Sequence, residues 1–190
     1  MQKIILASGS PRRKELLKRL KLEFDVVPAK FNEDEVELLD PEKLVKKLSR
    51  AKAEEVVNMF EDTVVIAADT VVIYREEILG KPVSKRDARD MLKKLQGGKH
   101  LVMTGLTVMS TTGKSRTICD STQVFMKKLD MKDIKSYVDT GEPIDKAGAY
   151  GIQGLGGIFV DKIVGSYFTV MGLPVHRLAE LLKEFSIKIL

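Results

Sequence analysis

The chain has no Trp, one Cys and two His among its 190 residues, and aromatic side chains make up only 6% of it. Each scarcity removes a class of protein. Cys119 alone forms no intramolecular disulfide, so this is not a cross-linked secreted scaffold. His100 and His176 are not spaced with each other or with Cys119 as zinc ligands would be, and any metal is expected to be a hard ion on carboxylates. No Gly-x-Ser-x-Gly elbow surrounds a serine, and the Walker A spacing is missing. Long apolar runs are also missing: the most apolar stretch, Thr63 to Tyr74, contains Asp69 and is too short to span a bilayer, so no membrane partner is expected. The absence of a charged leader followed by an apolar signal core makes the cytoplasm the expected location. Four Tyr and seven Phe form no ladder with basic residues for stacking on single strands, which argues against nucleic acid as a partner.

What is present fits an ordinary globular protein, with 44% hydrophobic and 31% charged residues and enough length for one substantial core, expected as one domain, 1–190. The net charge of +5 favours anionic partners, although Lys and Glu interleave along the helices and no run of like charge extends far.

The first turn organises the chain. An apolar strand, Lys3 to Ala7, leads through Ser8-Gly9-Ser10 into Pro11-Arg12-Arg13 and a segment to Leu22 whose Leu16, Leu17 and Leu20 recur at helical spacing. Ser10 suits the N-cap and Pro11 the first helical position. A helix N-terminus beside two guanidiniums binds phosphate, and Gly9 lets a ligand approach the backbone. A basic surface turn is an equally good reading of these residues alone.

Beyond it, the patterns predict a strand over Phe24 to Pro28, an acidic loop to Asp40, and a helix capped by Asp40 that runs to about Phe60 with Val45, Leu48, Val56 and Met59 on its apolar stripe. Lys52 falls in line with that stripe, where it either snorkels to the helix edge or reaches an anion. Thr63 to Ala68 reads as a buried strand, interrupted at Asp69-Thr70 and resumed at Val71 to Tyr74. Ser84 and Asp87 predict a capping box for a helix through Leu95. Lys99 to Ser110 and Ser115 to Lys127 predict an antiparallel hairpin. A helix over about Asp130 to Thr140 stops at Gly141. The small-residue loop from Glu142 to Gly157 precedes an expected strand at Ile158-Phe159-Val160, which excludes a dinucleotide fingerprint, and a last helix ends near Phe185. Parallel units and hairpins in one chain imply an α/β fold with a mixed sheet.

Asp69 is the most informative single residue. A carboxylate ending a buried aliphatic run needs a metal, a cation or a catalytic task, unless it is a turn or capping aspartate at a strand end. Glu33 lies in a crowded acidic loop, and Lys81 is a cation on the constrained turn Gly80-Lys81-Pro82.

Six blocks strongly resemble the Maf family of nucleoside triphosphate pyrophosphatases: Ala7 to Arg13, Lys52-Ala53, Ala68 to Val72, Gly80 to Pro82, Asp145 to Gly154, and Gly172 to Pro174. The resemblance covers essentially the whole chain, in order. It implies an α/β fold with a mixed central sheet flanked by helices, in two lobes around a nucleotide-binding cleft, and hydrolysis of a nucleoside triphosphate to the monophosphate and pyrophosphate. It places Ser8, Arg12, Arg13, Glu33, Lys52, Asp69, Lys81 and Gln153 at the site. A divalent cation, Mg²⁺ or Mn²⁺, would bridge phosphate to the carboxylates of Asp69 and Glu33; Asp69 acts as general base or metal ligand. Lys52 and Lys81 serve the reaction as cations. Arg12 after the proline, Thr70 after the aspartate and Gln153 before Gly154 resemble the branch that acts on dTTP and UTP. A branch preferring methylated guanine nucleotides carries Trp, Gln and Glu at those positions. Asn32 stands where many members have an acidic residue. The resemblance also implies a house-cleaning role, a homodimer and a link to cell-division arrest; its alternative is a non-catalytic nucleotide-binding regulator of septum formation.

Overall fold

Three long strands carry much of the chain in the computed structural model, which describes residues 2–30 and 40–190. The elements in order are β1 (Lys3–Leu6), α1 (Pro11–Arg19), β2 (Asp25–Val26), α2 (Pro41–Val57), β3 (Thr63–Tyr74), β4 (Glu77–Leu79), α3 (Lys85–Leu95), β5 (Lys99–Ser110), β6 (Ser115–Met126), α4 (Met131–Asp139), β7 (Val160–Val164), α5 (Tyr167–Val170) and α6 (Val175–Glu184). Among the described residues the strands follow the order β2-β1-β3-β5-β6-β7, with β4 paired to β3. The sheet is mixed: β1 runs parallel to β2 and β3, while β3–β4 and β6–β7 are antiparallel.

The chain divides into two units, and the divisions fall inside β3, β5 and β6. Unit 1 comprises Met1–Asp69, Thr104–Asp120 and Gly172–Leu190. In it Ile5, Ala7, Val65, Ala67 and Met109 pack with Ala53, Val56 and Val57 of α2. Unit 2 comprises Thr70–Met103 and Ser121–Met171. Its core joins Val72, Leu92, Leu95, Val102, Val124, Ile134, Tyr137 and Phe159.

Local chemistry explains most boundaries. Asp40 accepts hydrogen bonds from the Glu42 and Lys43 amides and Pro41 opens α2, as expected of an N-cap and first position. Ser84 accepts from the Asp87 amide, but the Asp87 carboxylate takes the amide of Val83 rather than that of Ser84, one residue short of a full capping box. Gly113, at φ 88°, turns β5 into β6, closed by Ser110 N–H to the Lys114 carbonyl at 2.9 Å.

Several expectations are corrected. β3 is one uninterrupted strand through Asp69 and Thr70, because the carboxylate meets a cation instead of ending the strand. Ile158 and Phe159 belong to a 3-10 turn, Leu155–Phe159, entered through Gly157 N–H to the Gly154 carbonyl, and the strand begins only at Val160. The second strand contracts to Asp25–Val26, and α2 ends at Val57, leaving Met59 exposed beyond the stripe. Ser10 occupies the N-cap of α1, yet its side chain caps no described backbone N–H.

Candidate active site

In unit 1, β1 ends at Leu6 beside Ile66, where its parallel pairing with β3 stops while β3 runs on, and from the carboxyl end of β1 the chain continues into the Ser8 loop. Ligands of open α/β sheets bind at that end. The Ala7 amide still bonds the Ile66 carbonyl, which anchors the loop, and Ser8 is buried behind it. The Ser8 hydroxyl accepts from the Ser10 amide at 3.3 Å and from Arg13 Nη1 at 3.0 Å. Arg13 Nε donates to the Gly172 carbonyl at 2.7 Å, so with Nη1 held by Ser8 the plane of the guanidinium is fixed. Arg12 and Arg13 sit half-buried in the first turn of α1, at the positive end of the helix. Among the described residues a Cβ on Gly9 would meet Pro28 alone, at 3.7 Å, an ordinary contact that does not require glycine.

Side-chain alternation places Asp69 on the same face of β3 as Val65 and Ala67, the face that packs on α2. Lys52 stands one turn from Val56 on that helix. Its Nζ lies 2.6 Å from Asp69 Oδ1, and the two side chains are only 12% and 10% exposed. The lysine does not snorkel away; it meets the carboxylate. Asp69 is therefore neither a strand end nor a turn, and its buried charge is balanced by an ammonium while remaining close to the loop end of the sheet.

In unit 2, Thr70 follows Asp69 on β3, half-buried. Lys81 is exposed on its turn, and the Gly80 carbonyl of that turn accepts the Gly148 amide at 3.0 Å. Gly148, at φ +68°, approaches Val72 so closely that a Cβ would come within 2.9 Å of its side chain. Gln153 is exposed on the following loop and makes no hydrogen bond to another described residue. The residue that holds this loop is Glu142, which the sequence reading passed over. Its carboxylate accepts from the Tyr137 hydroxyl and from the amides of Leu155 and Gly156. Burial opposes the charge, but these amides, the hydroxyl and Lys146 hold the carboxyl below the usual carboxylate range. The crowded glycines at 151, 154, 156 and 157 were the available signal of a chain wrapped closely around a side chain.

A model of Maf-like proteins matches residues 3–185. The chain belongs to the Maf family. It is 47% identical over 194 aligned residues to the dTTP/UTP pyrophosphatase of Alkaliphilus metalliredigens (strain QYMF), with 100% of both chains covered. To the dTTP/UTP pyrophosphatase of Carboxydothermus hydrogenoformans (strain ATCC BAA-161 / DSM 6008 / Z-2901) it is 49% identical, covering 96% of this chain and 98% of the relative. Among solved structures, a HAM1 protein from Coxiella burnetii superposes with a TM-score of 0.52 over 97% of this chain and 100% of that one. At 14% identity this likeness shows a shared fold.

For this Maf-family chain, the structure brings Ser8 to Arg13 and Lys52 to Asp69, all in unit 1. In unit 2 it joins the Lys81 turn to the loop that leads to Gln153. Glu33 and Asn32 lie outside the described residues. Among the described residues no three of His, Cys, Asp and Glu gather into a metal cage. Asp69 offers the hard oxygen that Mg²⁺ or Mn²⁺ takes, and such ions commonly bind one or two carboxylates with substrate phosphates completing the shell. The donor type fits. Cys119 is half-buried, and burial, then the Glu42 charge, pushes its thiol up to about 11, which leaves it inert as a nucleophile. Among the described residues, no helix is long and apolar enough to cross a membrane.

Proposed function

We propose that this chain is a nucleoside triphosphate pyrophosphatase that hydrolyses dTTP and UTP, and pyrimidine analogues of them, to the monophosphate and pyrophosphate. The observation that carries the reading is the buried Lys52–Asp69 pair at 2.6 Å, with Asp69 on β3 three residues past Ile66, whose carbonyl anchors Ala7 at the start of the Ser8–Arg13 loop. A carboxylate in that place can take a proton from an attacking water, and the neighbouring ammonium keeps it oriented. Relatives that match along their whole length carry the name dTTP/UTP pyrophosphatase, which supports the same substrate class.

The roles follow from the side chains. Arg13, its plane set by Ser8 and the Gly172 carbonyl, binds phosphate oxygens together with the amides at the start of α1. Lys52 and Lys81 add positive charge, which the pyrophosphate leaving group requires. Asp69, with Glu33, would hold a bound Mg²⁺ or Mn²⁺, which would supply further neutralisation of the phosphate charge. Thr70, Gln153 and Arg12 recognise the base, because a site built to hydrogen-bond a pyrimidine's polar edge leaves its own groups unpaired when another base enters. The reaction needs a pool of free nucleoside triphosphate, which places it in the cytoplasm.

The test is product analysis by ion chromatography on the wild type and Asp69→Asn, with all canonical nucleoside triphosphates and Mg²⁺ or Mn²⁺. Monophosphate and pyrophosphate from dTTP and UTP are expected, with turnover reduced by about a thousandfold or more in a folded Asp69→Asn chain. Binding of nucleotide without product, or near-normal turnover by the variant, would sink the proposal.

A further inference from the structure

We infer that Glu142 is a positioning residue for base selection: its carboxylate fixes the turn that presents Gln153. The inference rests on the pyrimidine reading above and adds a residue to which that reading gives no role. Gln153 is exposed and makes no hydrogen bond to another described residue, so only its backbone fixes where its side chain starts. That backbone is held on both sides by one carboxylate. Glu142 Oε2 accepts the Leu155 amide at 3.0 Å, and Oε1 accepts the Gly156 amide at 3.2 Å. On the other side the Tyr137 hydroxyl donates to Oε1 at 2.9 Å while accepting the Gly151 amide at 3.1 Å. Gly154 N–H to the Gly151 carbonyl closes the turn between them.

The glycines record how closely the loop collapses on this group. A Cβ at Gly154 would stand 2.5 Å from Glu142 Oε1, and one at Gly156 would stand 2.6 Å from the Tyr137 hydroxyl oxygen. At Gly151 it would meet Lys146 Cε at 2.7 Å, and the same lysine's Nζ donates to the Glu142 carbonyl. Tyr137 is itself fixed, edge-on to Phe159 with ring centroids 5.0 Å apart in the unit 2 core. An ionised carboxylate can accept from the hydroxyl and both amides at once. A carboxamide of the same shape cannot, because its NH₂ group would face a donor. Glu142→Gln therefore frees one end of the turn without removing the side chain.

The experiment compares kcat/KM for dTTP and dGTP in the wild type, Gln153→Ala, Glu142→Gln and Gly154→Ala, together with amide hydrogen exchange over residues 151–157 in the substrate-free proteins. Gly154→Ala keeps the carboxylate but forces it away from the turn, so it tests the same contact by a second route. All three variants are expected to lower the dTTP-to-dGTP ratio by about tenfold or more. Glu142→Gln and Gly154→Ala should also speed exchange in the loop, and the loss should appear mainly in KM for dTTP rather than in kcat. If Gln153→Ala lowers the ratio while the other two hold it within about twofold, the contact is merely structural and the inference fails, with the pyrimidine reading intact. If Gln153→Ala leaves the ratio unchanged, the reading itself fails and takes the inference with it.

Discussion

His100 shows what a single side chain contributes when burial sets its chemistry. It is 4% exposed, its Nε2 is 2.8 Å from the Tyr150 hydroxyl, and its Nδ1 has no partner among the described residues. Burial holds its pKa down at about 4, and also pushes the Tyr150 hydroxyl well above the ordinary range, so both groups are neutral in the fold. The unfolded chain takes up a proton on this histidine below about pH 6.5. Between pH 6.5 and 4 the unfolded state thus binds more protons, and stability falls as pH falls through that window. The loss amounts to on the order of 3 kcal/mol by pH 4. Urea midpoints measured from pH 7 to 4.5 should show this slope in the wild type and a flatter one in His100→Gln, which keeps a hydrogen-bonding group for Tyr150 without the titration. Equal slopes would assign the acid sensitivity to other groups. Lys52 and Asp69 are the contrasting case, two largely buried side chains of opposite charge type that meet each other at 2.6 Å.

At the scale of elements, two glycines separate folding from ligand access. Gly105 lies in β5 where the backbone of α2 crosses it; a Cβ there would stand 2.1 Å from the Val45 carbonyl oxygen. Neither element can yield by a rotamer change, so Gly105→Ala should destabilise the protein by about 3 kcal/mol or more. Among the described residues Gly9 has only Pro28 at ordinary contact distance, and Gly9→Ala should leave the urea midpoint close to wild type. If the Ser8 loop cradles phosphate, the same change raises KM for dTTP by about tenfold, since the added methyl stands where the ligand meets the backbone. The opposite pattern, a destabilised Gly9→Ala or a stable Gly105→Ala, would contradict these placements. The long strands and the helices opened by Asp40-Pro41 and Ser84 could be read from sequence because caps, proline and alternation act on near neighbours. The break anticipated at Asp69 could not be corrected from sequence, since the strand continues only because α2 delivers a cation to that face.

Over the whole molecule the net charge of +5 acts on a polyanionic substrate before any contact forms. Raising ionic strength from about 0.05 to 0.5 M shortens the Debye length and should lower kcat/KM for dTTP by about threefold or more while changing kcat less. A salt-independent kcat/KM would mean that the excess lysines are distributed too evenly to steer the nucleotide, which their interleaving with Glu along the helices makes a real alternative.

The sequence by itself determined most of the helices and strands, the mixed α/β class and the residue blocks of the Maf family, because these rest on chemistry written within a few residues, but it marked no helix at Tyr167–Val170, where α5 forms. Only the tertiary structure decided which partners the charged groups meet. Lys52 and Asp69 are 17 residues apart, and Arg13 finds the Gly172 carbonyl across 159 residues. Glu142 only opens a loop of small residues in the sequence, and the chain folding back over it makes it the anchor of that loop. A cap or a turn needs only its neighbours, whereas the partner of a buried charge is fixed by which faces the packed elements present to one another.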